Sequence, residues 1–487
     1  MSTKLQRNIG YQTLYQIIVT ITPLITAPYL AHVLGASQQG VYSYTLSITS
    51  YFLMFAMLGY ENQGTRCVAK AGEDISLRSR AFFSVYYLQL STSVLAIIAY
   101  FMYLLIFCKS NIFIAELQGL MLLACVFNIN WFFAGIENFK VIALRNIIVK
   151  ITTVTSILLL VKRKEDLWVY TIIMALSTLI GNISVWSLLK GKLQLTRVRK
   201  EELIANIKPV LLLFVPLFAM SIYHYMDKTM LGILSNYENS GYYYNADKVV
   251  NIPLGVITAI STVMFPRVVA TLENNKNKFE MVFSKTFEGV SLVAVAFSFG
   301  IAAISNEFVP FFFGSQFNDC IILIKYLAPV MIIKSISTVL RYQYLIPKGM
   351  DKGFIYSVFI GAIVDLLANY LLIPEYGALG AVIGTLLAEF ASCIYQLYYI
   401  KDGVKIIHLF KPTLPYYFIG ICMFVFVRIV PLLFKASDAL LTLLEVFVGV
   451  VVFSLLAIAY WVLVRERTIL DSIIPNQIKR RIVKTTK

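Results

Sequence analysis

Two lysines lie deep inside long apolar stretches of this sequence, far from the ends where water would solvate them. Lys150 is about nine residues inside the stretch 141–161, and Lys334 is about thirteen residues inside the stretch 321–346. An ionisable group near the middle of a bilayer is costly, which makes it a candidate functional residue. Alternatively, each lysine extends its ammonium group to the membrane surface or pairs with a structural carboxylate.

Three carboxylates, those of Asp227, Asp365 and Glu389, are also deep inside apolar stretches. Asp365 and Glu389 are nearly symmetric about the Tyr376-Gly377 turn, so we expect them at similar depth on adjacent antiparallel helices. Two carboxyl groups that share one proton would suit proton coupling. Each carboxylate could instead pair with a lysine and form a neutral structural bridge.

Asp227 and Lys228 are neighbours in sequence and point about 100° apart on a helix, so they do not face each other. At least one of them needs another partner, or the two have a structural role near the membrane surface. His224 lies one turn before Lys228 and would share its face, either in a site or as a hydrogen-bonded lining residue. Three further basic residues lie closer to the predicted outer ends of their spans, where extension to the surface accounts for them: Lys248, Lys325 and Arg428.

The elements that position these groups must be membrane helices. Of the 487 residues, 59% are hydrophobic and only 14% are charged, and the mean hydropathy is +0.76. A soluble domain carries about 25% charged residues. Spanning the hydrocarbon core takes about 20 apolar residues, and strands would show a period of two that is not seen. We predict an all-α polytopic membrane protein with about 14 spans, at 11–34, 41–60, 82–108, 115–136, 141–161, 168–189, 209–234, 249–270, 284–305, 321–346, 354–373, 378–400, 413–434 and 439–463.

The distribution of positive charge predicts the topology. Of the 42 Lys and Arg residues, 31 fall in one set of alternate gaps and 5 in the other. This asymmetry predicts that both termini are cytoplasmic. It also explains the net charge of +16 without nucleic acid, because the basic tail from Arg465 is typical of a membrane-surface anchor. All four tryptophans lie near predicted span ends, where such rings favour the membrane interface: Trp131, Trp168, Trp186 and Trp461.

Two pairs of similar short segments, called sequence echoes below, predict an internal duplication. The segment 34–44 (LGASQQGVYSY) resembles 234–244 (LSNYENSGYYY), and 135–140 (GIENFK) resembles 349–354 (GMDKGF). Because each echo is separated from its copy by an even number of spans, the halves would be parallel repeats with a transport route between them. We predict an N-terminal lobe at 1–200 (spans 1–6), a C-terminal lobe at 201–405 (spans 7–12), and two additional helices with a basic cytoplasmic tail at 406–487.

Three motifs resemble Wzx-type oligosaccharide flippases of bacteria, in the polysaccharide branch of the multidrug/oligosaccharidyl-lipid/polysaccharide exporter superfamily. They are 130–140 (NWFFAGIENFK) with the following 142–150, 227–232 (DKTMLG) with Gly241-Tyr242-Tyr243, and 372–381 (LIPEYGALGA). The resemblance covers essentially the whole chain. It implies two helical lobes around a V-shaped central cavity that operates by alternating access. The implied substrate is an undecaprenyl-diphosphate-linked oligosaccharide, moved from the cytoplasmic to the outer leaflet of the bacterial cytoplasmic membrane by an ion gradient.

Such a substrate needs cations for its diphosphate and polar groups for its glycan. The candidate diphosphate-binding residues are Lys150, Lys334, Lys228, Arg66, Arg145, Arg267 and Arg341, although anchoring of topology explains the four arginines equally well. The ion-coupling candidates are Asp227, Asp365 and Glu389. The glycan-facing candidates are Gln16, Tyr42, Tyr44, Asn128 and His224, although hydroxyl groups also join membrane helices. We expect membrane lipid as a further partner, with a polysaccharide polymerase and other assembly proteins as additional ones.

Other functions fit the sequence less well. A drug/cation antiporter of the same superfamily would favour acidic residues in its cavity, whereas the deep charges here have both signs. A membrane-bound polysaccharide polymerase or glycosyltransferase usually needs a longer external loop than any predicted here. A structural scaffold has little reason to keep lysines at mid-bilayer. The residues indicate no catalytic nucleophile, no metal-binding cluster and no cofactor, so we expect a transporter and not an enzyme.

Overall fold

The computed structural model describes residues 3–274 and 276–464, although the side chains of 3–17 and of a few other helical residues lie outside this description. Over these ranges the secondary structure is helical, with no β-strand. The helices are α1 (Thr3–Met57), α2 (Tyr60–Ala71), α3 (Ile75–Phe107), α4 (Ile112–Val126), α5 (Asn130–Gly135), α6 (Phe139–Leu160), α7 (Leu167–Ser184), α8 (Lys200–Leu234), α9 (Tyr237–Asn274), α10 (Lys276–Phe313), α11 (Asp319–Leu340), α12 (Asp351–Tyr376), α13 (Ala378–Ile400), α14 (Ile406–Phe410), α15 (Leu414–Leu433) and α16 (Asp438–Val464).

The fold is that of an all-α polytopic membrane protein, as the sequence predicts. Twelve stretches of the described chain are long and apolar enough to cross a membrane, and they do not include the 35-residue helix α8, which contains the predicted span 209–234. Every predicted span contains helix, but three details differ. The predicted spans 11–34 and 41–60 lie mainly in the single helix α1, with non-helical dihedrals at Gly35 between them. The span 115–136 is interrupted at 127–129, and the gap predicted at 305–320 is largely helical because α10 continues to Phe313. The basic tail from Arg465 lies outside the described residues.

Local sequence explains several helix boundaries. The Asp74 carboxylate accepts hydrogen bonds from the backbone N–H groups of Ser76 and Leu77, at 2.7 and 3.0 Å, which caps the start of α3. Gly377, with φ of 54°, separates α12 from α13, and glycine adopts this backbone conformation at the lowest cost.

The chain divides into two compact units. Unit 1 comprises Met1–Tyr244 and Asn369–Ala381, and unit 2 comprises the segments Asn245–Ala368 and Val382–Lys487. In unit 1, aromatic side chains including Phe82, Trp131 and Phe132 form a buried cluster. In unit 2, residues of α10, α15 and α16 form another. The division into segments 1–200, 201–405 and 406–487 stays a prediction.

The first sequence echo corresponds to a close helix contact inside unit 1. Helix α1 has non-helical dihedrals at Gly35, and the chain breaks again at Ser235 between α8 and α9, so both copies lie at a break. The two strings align position by position at a shift of 200 positions, whereas a shift of 201, one position more, places Gly40 opposite Gly241. A Cβ on Gly40 would meet the Tyr237 backbone, and a Cβ on Gly241 would meet the Ala36 carbonyl oxygen.

This contact is reciprocal, because the shift of 201 positions also relates Ala36 to Tyr237. Two copies of one segment that touch each other through equivalent positions are what a local two-fold relation produces. Glycine permits the approach because any side chain at either position would overlap backbone atoms of the other copy. The second echo also lies at helix boundaries, before α6 and before α12.

Candidate functional site

Lys334 forms an ion pair inside unit 2. Its Nζ lies 3.4 Å from Glu389 Oε1, which joins α11 to α13. The Lys334 side chain is 33% exposed, whereas that of Glu389 is 8% exposed. The carboxylate is therefore buried and its cation is partly open. This arrangement matches the alternative that Glu389 pairs with a lysine, and its role in ion coupling stays a prediction.

Asp227 is held by hydrogen bonds inside unit 1. Asn369 Nδ2 donates to Asp227 Oδ1 at 2.7 Å, and the Tyr243 hydroxyl donates to Asp227 Oδ2. Both Asp227 and the adjacent Lys228 are buried, at 5% and 7% exposure. Hydrogen bonds to both oxygens stabilise the ionised carboxylate. The third acidic candidate, Asp365, is fully buried on α12.

Lys150 is half-buried on α6. Among the side chains that the structure describes, which exclude those of residues 3–17, no hydrogen bond or salt bridge to its ammonium group is found. An apolar groove of about 670 Å³ lies between α6 and α7, lined on the α6 side by residues that include Leu144, Ile148 and Thr152. At about 100° per residue, Lys150 lies on the opposite face of α6 from this groove. Its charge is thus uncompensated by the part of the chain described.

The four arginines differ in their surroundings. Arg145 is half-buried and donates to Asn130 Oδ1 and, at 3.3 Å, to Asn182 Oδ1. Arg341 lies over the Phe354 ring, with 4.4 Å between the guanidinium carbon and the ring centroid. The remaining two, on α2 and α9, are exposed: Arg66 and Arg267. Arg66 and Arg145 belong to unit 1, and Arg267 and Arg341 belong to unit 2, so their shared role toward a diphosphate stays a prediction.

The glycan-facing candidates also occupy different environments. Tyr42 is 1% exposed and packs against Tyr170 with ring centroids 4.6 Å apart, so it lies in the core of unit 1. Tyr44 is half-buried against Tyr237, at 5.5 Å. Asn128 donates to Glu61 at 3.4 Å, and His224 is exposed. The side chain of Gln16 lies outside the described residues. Their role toward a glycan stays a prediction.

One cluster of charged residues was not predicted from the sequence. Arg428, expected to extend to the membrane surface, instead contacts Glu307 and Glu445 in unit 2, at 2.6 and 3.2 Å. Glu307 was placed in the predicted gap 305–320, so its position in a helix was not recognised. The sequence held a signal for this cluster. Glu307, Arg428 and Glu445 each lie five to seven residues from an end of their helix, and these three ends are predicted to face the same side of the membrane.

Groups of three or more His, Cys, Asp or Glu that would hold a metal ion are not found among the residues described. The six cysteines are free thiols. The chemistry available in the described helices is therefore that of ammonium, guanidinium and carboxylate groups in an apolar surrounding. Such groups bind and exchange ions.

The fold defines the chain as a multi-pass, all-α membrane protein. The structure of lipid II flippase MurJ in an inward closed conformation has the same fold: the TM-score is 0.73 over 94% of this chain and 99% of that one, at 14% identity. An inward-facing multidrug transporter of the MATE family and MOP superfamily matches with a TM-score of 0.60 over 82% of this chain and 99% of that chain, also at 14% identity.

Residues 5–272 match the family described as polysaccharide biosynthesis protein, and the chain belongs to this family. A putative O-antigen transporter of Escherichia coli K12 is 22% identical over 413 residues, which cover 82% of this chain and 97% of that protein. Together these matches confirm the resemblance to Wzx-type flippases of the MOP superfamily.

Proposed function

We propose that the protein moves undecaprenyl-diphosphate-linked oligosaccharide repeat units from the cytoplasmic to the outer leaflet of the bacterial cytoplasmic membrane. The observation that carries this proposal is the half-buried Lys150 ammonium group within a membrane helix, which has no counter-charge among the described side chains, in a chain similar along most of its length to a putative O-antigen transporter. A partly buried cation without a counter-charge is unfavourable, and an anionic substrate would supply the charge.

Lys334, in unit 2, is a separate candidate for binding a diphosphate group. Its ammonium group is one-third exposed and is held by a single carboxylate at 3.4 Å. A phosphate oxygen that approaches from the exposed side would compete with Glu389 for this cation. Glu389, once displaced, would be a buried carboxylate without a cation and would favour protonation. This exchange links substrate binding to proton uptake, so that an ion gradient would drive transport by alternating access.

The remaining candidates would act before and after this step. With both termini in the cytoplasm, the exposed Arg66 and Arg267 would attract the diphosphate at the cytoplasmic surface, where the field of exposed cations is felt over about 10 Å. Asp227 and Asp365 would bind or release the coupling ion. Tyr44, Asn128 and His224 present polar groups that suit hydroxyl-rich sugars. A polymerase would then consume the repeat unit in the outer leaflet.

The test is the leaflet location of lipid-linked oligosaccharide in cells depleted of this protein. Completed repeats trapped in the cytoplasmic leaflet, with surface polymer lost, are the expected result. Single repeats that accumulate in the outer leaflet would indicate a polymerase instead. An unchanged distribution in both leaflets would refute oligosaccharide flipping and favour export of a drug or metabolite.

Substitution then tests the two lysines. We expect Lys150→Gln, Lys334→Gln and the double variant to reduce polymer export at normal expression of the protein. Lys162→Gln is the matched control, because Lys162 is an exposed loop residue whose ammonium group contacts the Leu158 carbonyl oxygen. Unchanged export in both single variants and the double variant would contradict diphosphate binding by these residues.

A further inference from the structure

The charged cluster on α10, α15 and α16 contains one cation, Arg428, and two acids, Glu307 and Glu445. Arg428 Nη1 lies 2.6 Å from Glu307 Oε2 and 3.2 Å from Glu445 Oε1, and it also donates to the Ala303 carbonyl oxygen at 3.0 Å. Because both carboxylate oxygens contact one nitrogen atom, they are at most about 6 Å apart, a distance at which like charges repel strongly in an apolar medium. One guanidinium group therefore faces two acids.

Glu445 is the more deeply buried acid. Its side chain is fully buried, whereas those of Glu307 and Arg428 are 11% and 27% exposed. Its second oxygen, Oε2, is also buried and accepts no hydrogen bond from the part of the chain described. A buried carboxylate oxygen without a donor is unfavourable, and a second carboxylate nearby disfavours ionisation of both. A proton on this acid pair removes both problems, because the O–H group of one acid can donate to the other.

Neighbouring charges do not replace that proton. Lys325 on α11 is another cation near the cluster, but its ammonium group donates to Asn306 Oδ1 at 2.6 Å and, within the described ranges, forms no salt bridge. Asp319 and Asp438, in the first turns of α11 and α16, are exposed and carry negative charge. A metal cation in place of the proton would be repelled by Arg428.

We propose that Glu307 and Glu445 form a proton-binding site that holds one proton between them beside Arg428. The site lies five to seven residues from the ends of its three helices, about 8–10 Å along the helix axes, and so exchanges its proton with the nearer aqueous side. A largely apolar groove of about 410 Å³, lined by residues of α9, α10, α15 and α16, has Glu445 in its wall. This site is separate from the ion-coupling candidates named above and does not depend on the proposed substrate.

Dicyclohexylcarbodiimide provides the test, because this apolar reagent modifies protonated carboxyl groups inside membranes. The acid gives its proton to one carbodiimide nitrogen, its oxygen adds to the central carbon, and the acyl group then migrates to nitrogen as a stable N-acylurea. The full-length protein in lipid vesicles is treated at several pH values between about 5 and about 9, and the adduct is located by peptide mass spectrometry. We expect an adduct on Glu445 or Glu307 that decreases as pH rises, and none on the exposed Asp438.

Two variants test whether the pairing of Glu307 with Glu445 causes the labelling. Glu307→Gln leaves Glu445 and Arg428 as a one-to-one ion pair, so we expect labelling of Glu445 to fall on the order of tenfold. Glu288→Gln is the matched control on α10, because Glu288 accepts a hydrogen bond from the Tyr416 hydroxyl at 2.6 Å and belongs to no part of this cluster. Absence of an adduct on both acids of the wild-type protein at every pH would overturn the proposal. So would labelling of Glu445 that is unchanged by Glu307→Gln.

Discussion

The reciprocal glycine contact in unit 1 makes a quantitative prediction. A Cβ on Gly40 would overlap the Tyr237 carbonyl oxygen and would lie 2.9 Å from the Gly241 nitrogen. Since these are backbone atoms, no rotamer change relieves the overlap, and α1 and α9 must separate locally by more than about 1 Å. Overpacking of this kind typically costs about 1–3 kcal/mol. We expect a loss of this size in the free energy of unfolding for Gly40→Ala and, by the reciprocal geometry, for Gly241→Ala.

The double variant tests whether the two glycines report on one contact. Once the first alanine has separated the helices, the second meets less resistance, so the combined loss should be clearly smaller than the sum of the single losses. The purified protein in detergent is unfolded by heat or denaturant, and the midpoints of the single and double variants are compared at equal protein and lipid content.

Gly255→Ala is the matched control for this series. Gly255 lies on α9, as Gly241 does, and a Cβ there would meet no atom within 4 Å. Alanine has the higher helix propensity by up to about 1 kcal/mol, so this variant should be neutral or slightly stabilised. Midpoints of Gly40→Ala and Gly241→Ala equal to that of Gly255→Ala would refute the close approach, and fully additive losses would refute the single shared contact.

Three further substitutions probe the polar interior. Lys334→Gln removes the cation that pairs with Glu389, whose side chain is 8% exposed, and should lower the free energy of unfolding by about 1–3 kcal/mol. The double variant Lys334→Gln/Glu389→Gln should recover most of this loss. The thermal midpoints of the wild type, the two single variants and the double variant check this. Tyr243→Phe removes a hydrogen bond to the buried Asp227 and should cost about 1.5–3 kcal/mol in the same assay. Gln89→Leu breaks three hydrogen bonds, two at 2.8 Å and one at 2.9 Å, and leaves buried groups unpaired; we expect a loss of about 2 kcal/mol or more, and an unchanged midpoint would contradict it.

Hydrophobic stretches predict which segments form long helices, and these helices were predicted well. The all-α fold and the long helices follow from runs of apolar residues, because about 20 apolar residues in a helix span the hydrocarbon core. The depth of the charged residues in the membrane stays a prediction. The similarity between segments 34–44 and 234–244 could also be recognised in the sequence, because small residues recur where two helices approach closely.

The direction in which a side chain points around its helix was not predictable. Trp131 lies near a span end, and was expected to favour the membrane interface, yet its ring is 2% exposed and its Nε1 donates to Gln89 in the core of unit 1. Arg428 has acid partners 121 and 17 positions away. Which helices face one another is decided by packing between segments distant in sequence. A single sequence holds no direct record of that packing.

The deep charges become more informative when considered as pairs. A lone charge at the centre of a bilayer costs about 2.5–3.5 kcal/mol by insertion measurements, so a folded membrane protein tends to pair such groups. Lys334 is paired with Glu389, and Arg428 with two acids. Lys150 departs from this rule among the described residues, since it is half-buried and unpaired there. An anion that binds at Lys150 displaces no internal carboxylate, whereas one that binds at Lys334 must compete with Glu389. We therefore expect the first diphosphate contact at Lys150, and a larger loss of export from Lys150→Gln than from Lys334→Gln.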